Sequence, residues 1–147
     1  MLPAVKKSVW TEAQKKFIRD EFVGWLECLN LTPMVTRYVW KEENEASRQE
    51  TSVCFRVFGQ WPYREAALHS FPAALGGDKE TMSMYLLHEA FHVLLRPMTE
   101  HRLAPQNFYA DMEEMVTEAL TAYVWHQRQY DKRKDEEIAR LTKSRKR

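Results

Sequence analysis

Glycine is scarce: Gly24, Gly59, Gly76 and Gly77 are the only four in 147 residues. Tight turns with left-handed backbone draw on glycine, so a chain of many hairpins is excluded and helices are expected to dominate. The scarcity also excludes glycine-rich nucleotide loops, since neither G-x-G-x-x-G nor a P-loop can be written along the chain. Cysteine is scarcer still. Cys28 and Cys54 are isolated and far apart, so they make no metal pair and read as reduced core thiols. A surplus of one charge is missing too: 22 Lys+Arg against 21 Asp+Glu leaves +1. No global field draws the protein to nucleic acid or to a membrane surface. No window approaches the roughly 18 apolar residues of a membrane-spanning helix. The opening stretch MLPAVKKSVWTEAQKKF lacks the apolar segment of a secretory signal. The expectation is a cytoplasmic protein with no membrane partner.

What is present suits one folded domain. Hydrophobic residues make up 44% and aromatics 12%, enough for a core without disulfide staples. Residues 1–130 read as that domain. Residues 131–147 hold eight Lys/Arg against four Asp/Glu and read as a charged tail, either a solvated helical extension or disordered. Only its end, with Lys143, Arg145, Lys146 and Arg147, is densely basic, a weak argument for nucleic acid.

The first helix is expected over 11–29. Thr11 and Gln14 sit at capping-box positions, and Phe17, Ile18, Phe22, Trp25, Leu26 and Leu29 repeat at helical spacing. Residues 34–41 and 51–58 are rich in β-branched and aromatic types and read as strands. Residues 63–71 read as a weaker third strand because Ala and Glu disfavour strands. The three make a small antiparallel or mixed sheet, a meander, with 63–71 at its edge. Asp78 caps a second helix over 79–95, which Arg96-Pro97 should end. A linker of about ten residues leads to a third helix over 107–130. Trp10, Trp25, Trp40 and Trp125 belong to the core or its edge, whereas Trp61, Pro62 and Tyr63 form a turn or a binding lip. The fold class is therefore α+β and helix-dominated.

The chemistry lies in His88-Glu89-Ala90-Phe91-His92, an H-E-x-x-H sequence in the second helix. Residues i and i+4 share a helix face, so both imidazoles can bind one zinc ion without backbone movement. Glu89 is turned roughly 100° away, placed to take a proton from a zinc-activated water. A surrounding of Leu86, Leu87, Phe91 and Val93 makes unpartnered histidines costly. A third ligand must come from elsewhere. Glu114 is the first choice, and Glu113 and His101 are the alternatives. Met112, Val116, Ala119 and Tyr123 define the apolar stripe of the third helix. Glu113 flanks that stripe and Glu114 lies nearly opposite. Glu118, at i+4 from Glu114, suits a carboxylate that accepts the free ring N–H of a ligating histidine.

His88-Glu89-x-x-His92 followed by Glu114-x-x-x-Glu118 resembles the gluzincin type of zincin metallopeptidase, of which thermolysin is a member. The small size is similar to the minimal zincins of phages and prophages. The resemblance implies a small sheet packed on an active-site helix and a following glutamate helix. It implies one zinc on His88, His92 and Glu114, with Glu89 as general base in peptide-bond hydrolysis. The substrate, a peptide or protein, would lie along an edge strand, for which 63–71 is the candidate. Tyr85, Tyr123, His101 and His126 are candidate oxyanion stabilisers. Glu118 stands where that family more often has Asp or Asn. Metzincins are set aside because Leu95 and Met98 stand where their Gly and third His belong. Two other readings are carried: a non-catalytic zincin-like binding module, and an SprT-like protease or adaptor recruited to DNA through the basic tail.

Overall fold

The computed structural model describes residues 8–31, 35–45, 53–60, 65–100 and 106–144. Three helices and a three-stranded sheet follow one another in the chain: α1 (Glu12–Cys28), β1 (Val35–Trp40), β2 (Phe55–Gln60), β3 (Glu65–Ser70), a short 3-10 helix (Pro72–Gly76), α2 (Lys79–Glu100) and α3 (Gln106–Ser144). The class is α+β, with helix dominant.

Local signals set the helix ends. The Thr11 side chain accepts the Gln14 N–H, and Gln14 Oε1 accepts the Thr11 N–H at 2.8 Å, a complete capping box. At the other end of α1, Asn30 adopts φ 60°. Leu31 N–H then reaches Leu26 C=O and Asn30 N–H reaches Glu27 C=O, closing a Schellman cap with asparagine in the left-handed position. Asp78 Oδ1 accepts the Thr81 N–H at 2.7 Å and starts α2. That bond to the ionised form holds the Asp78 carboxyl below its ordinary value.

The sheet is mixed, in the order β1-β3-β2. β3 pairs in parallel with β1 and antiparallel with β2, so the expected meander is not formed. The strand that composition marks as weakest is central, not an edge. The reason is packing: Ala66, Ala67, Leu68 and Ser70 are all buried between the two flanking strands and the core. Phe55, Val57, Ala66 and Leu68 meet Ile18, Phe22 and Leu26 of α1 and Leu86, Leu87, Ala90 and Phe91 of α2 in one core. Trp10 and Trp25 are buried, and Trp40 and Trp125 pack at the core's margin. Leu68 has no exposed surface. Leu68→Ala is expected to cost about 2–5 kcal/mol through lost burial and a cavity, read as a lower urea midpoint at unchanged m-value.

Three other expectations change. α2 runs on to Glu100. Pro97 removes one N–H, the partner of the Val93 carbonyl, and α2 continues past that single loss. α3 extends to Ser144, and residues 131–143 form a solvent-exposed helical extension. Cys28 is exposed, so it is not a core thiol, whereas Cys54 is half-buried and packs against the core. Trp61, Pro62, Tyr63 and the last three residues, including Arg145, Lys146 and Arg147, lie outside the described residues. No helix among the described residues is long and apolar enough to cross a membrane.

Candidate metal centre

α2 is wrapped by α1, the sheet and α3, so the histidine pair in its middle sits against the core. The side chains of His88 and His92 are 23% and 15% exposed. Their Nε2 atoms lie 3.1 Å apart. α3 runs antiparallel to α2 and brings Glu114 across both rings. Glu114 Oε1 is 3.2 Å from His88 Nε2, and its Oε2 is 3.2 Å from His92 Nε2. Among the described residues, these three form the one group of His, Cys, Asp or Glu whose ligand atoms converge, all within 4.8 Å of one another. Neighbouring ligands of a tetrahedral zinc, with bonds of about 2.0–2.1 Å, lie about 3.3–3.4 Å apart. The Nε2–Nε2 distance is within a few tenths of that edge, and Glu114 reaches each ring with a different oxygen.

Charge points the same way. Glu113, 8% exposed, places Oε1 2.9 Å from His92 Nδ1. An ionised carboxylate only accepts, so this contact suits the tautomer with the ring hydrogen on Nδ1, the form that leaves Nε2 to ligate a metal. Burial, and then the neighbouring His92 ring, hold His88 below its ordinary pKa, with the Glu114 and Glu118 carboxylates opposing. Neutral imidazole is the ligand form. Two ring nitrogens and a carboxylate therefore face one point, an arrangement that suits a cation.

Glu89 lines the same cleft, which measures about 630 Å³. It faces β2, where Oε2 accepts the Val57 N–H at 2.8 Å. Burial pushes the Glu89 carboxyl up to about 8, with the Val57 N–H and the charges of Arg56 and Arg96 pulling down and that of Glu114 pushing up. A carboxyl so poised exchanges protons near neutral pH. β2 is an edge strand, and it is β2 that borders the histidine helix. The expected substrate edge, 63–71, is inside the sheet. Along β2 the backbone groups of Cys54 turn inward, its C=O accepting Phe71 N–H, while the Val57 N–H turns outward. By strand alternation Phe55 presents its N–H and C=O to the cleft.

The remaining candidates divide. Tyr85, 41% exposed, lines the cleft. Tyr123, 70% exposed, lines a separate groove of about 990 Å³ against Trp25 and Arg128 of α1 and α3, and His126 is exposed on α3 away from the cleft. His101 lies outside the described residues. Glu118 lines the cleft but makes no hydrogen bond to either histidine among the described residues. The acceptor for a ring N–H is Glu113 instead. Glu113 points at α2 together with Thr117 and Thr121, all three buried at successive turns, whereas Met112, Ala119 and Tyr123 face outward. Most of the expected apolar stripe of α3 is thus exposed, Val116 is half-buried, and Leu120 and Val124 pack against the core instead. Sequence reasoning missed the bracing role of Glu113 and the Val57 amide. Neither left a usable signal: the stripe that Glu113 flanks lies largely on the exposed side of α3, and a backbone amide leaves none. No known protein family, curated protein or solved structure matches this chain.

Proposed function

We propose that the protein is a metal-dependent hydrolase, and within that class a zinc peptidase of the gluzincin kind. The observation that carries the reading is the convergence of His88, His92 and Glu114, with Glu89 lining the same cleft as His88 and Glu114. Two imidazoles and one carboxylate suit zinc better than magnesium or calcium, which take all-oxygen shells. Three protein ligands leave a coordination position for water, the mark of a catalytic site rather than a closed structural one. Zinc bound there would supply Lewis acidity, making water nucleophilic near neutral pH and polarising the scissile carbonyl. Glu89 takes the proton of the attacking water and returns it to the departing amine. The outward backbone groups of Phe55 hold an extended peptide beside β2, and Tyr85, which lines the cleft, donates to the developing oxyanion.

The test is metal content by mass spectrometry on untagged protein, followed by incubation of the zinc-loaded protein with unfolded casein. About one zinc per chain and chelator-sensitive fragments are expected. Protein that takes up no zinc after dialysis against it overturns the reading. Glu113→Gln should weaken zinc binding by about 10–100-fold, since His92 loses its charged acceptor. Competition with a chromophoric chelator measures that shift.

A further inference from the structure

The cleft extends beyond the metal ligands toward the start of α2, and its chemistry there is uneven. Met84 and Tyr85 of α2, Ala122 of α3 and Phe55 of β2 form apolar walls. Two polar groups interrupt them. Glu118, one turn past Glu114, lines this part of the cleft, is exposed, and makes no hydrogen bond or ion pair among the described residues. Thr121, three residues on, lines the same stretch at 7% exposure, and its Oγ1 has no hydrogen-bond partner. A buried hydroxyl without a partner costs free energy unless something arrives to satisfy it. No Lys or Arg is among the residues lining the cleft. Apolar walls that also carry a carboxylate and a hydroxyl without a partner fit one kind of side chain: a long aliphatic stem with a cationic, hydrogen-bond-donating tip.

We propose that this part of the cleft is a specificity pocket for lysine or arginine in the substrate, with Glu118 as the residue that selects the charge and Thr121 as a second acceptor for its N–H groups. This rests on the peptidase reading, because the pocket matters only for a peptide held beside the metal. It gives Glu118 the part of a substrate contact rather than of a histidine brace. A neutral apolar side chain would fill the walls and leave both polar groups unpaired. An acidic one would meet Glu118 with like charge.

The experiment uses full-length zinc-loaded protein and three dipeptide hydroxamates, carrying Arg, Leu or Glu beside the metal-binding group, with affinities read by calorimetry. The Arg compound should bind about fivefold tighter than the Leu compound, the scale of a partly exposed ion pair, and the Glu compound weakest. In Glu118→Gln the Arg-over-Leu ratio should fall below about twofold at unchanged zinc content. An unchanged ratio in the variant, or a wild type that prefers Leu, overturns the proposal while the metal site stands. A second measurement needs no metal: arginine amide titrated into the protein, followed by amide chemical shifts in NMR. Shifts clustered at residues 118–122 that disappear in Glu118→Gln support the pocket even if hydroxamates fail to bind. Absence of such shifts in the wild type overturns it. Failure of zinc and hydroxamate binding together, with the arginine shifts present, overturns the peptidase reading instead.

Discussion

Glu89→Gln keeps zinc at the wild-type level and lowers the rate of peptide hydrolysis by about 10²–10⁴, the usual contribution of a positioned general base. The amide is isosteric, and its oxygen can still accept the Val57 N–H that now reaches Oε2, so the fold and the strand contact persist. What disappears is the proton acceptor. Glutamine cannot take a proton from water at any accessible pH, whereas the native carboxyl is lifted by burial to about 8 and accepts one when ionised. Metal content and cleavage are measured on the same preparation. Hydrolysis near the wild-type rate with zinc retained would remove Glu89 from the mechanism.

His92→Ala loses stoichiometric zinc and unfolds at lower temperature, for two separable reasons. Removing one of three ligands dismantles the site, and the stabilisation that bound metal lends the native state goes with it, about 2.7 kcal/mol at a hundredfold excess over Kd. The second reason lies in the protein alone. Glu113 is 8% exposed, and its Oε1 has His92 Nδ1 at 2.9 Å and Arg96 Nε at 3.7 Å. Without the imidazole, a buried carboxylate is left with a poorer set of partners. His92→Ala/Glu113→Gln should therefore recover part of the stability and none of the zinc. Calorimetry with and without chelator separates the two contributions. Unchanged metal content in the single variant would show that the ligand assignment is wrong.

Much of this was legible locally. The capping box of Thr11 and Gln14, the cap at Asp78 and the apolar face of α1 each depend on residues within one or two turns, and each forms as the pattern says. The His88–His92 pairing is equally local, because an i, i+4 spacing on a helix fixes the separation of two side chains. Strand order was not legible. β3 looks weak by composition because its small residues were judged for an exposed pleat, whereas it is the central strand, with Ala66, Leu68 and Ser70 buried on one face and Ala67 buried between its neighbours on the other. The orientation of α3 was not legible either. Periodicity assigns the core side to the apolar stripe of Met112, Val116, Ala119 and Tyr123, a rule that assumes apolar neighbours. Here the buried neighbours include two imidazoles, so Glu113, Thr117 and Thr121 turn inward, while Met112, Ala119 and Tyr123 face water and Val116 is half-buried.

The amino-acid sequence alone therefore determined the helices, their caps, the histidine pair and the carboxylate set from which a third ligand could come. All of these follow from backbone geometry over a few residues. Only the tertiary structure decided which carboxylate does what: Glu114 across both rings, Glu113 behind His92, Glu118 along the cleft, and Glu89 against β2. Three glutamates within six residues of one helix differ by rotation about its axis. That rotation is set by what α2 and the sheet present to α3, information that lies far away in the chain.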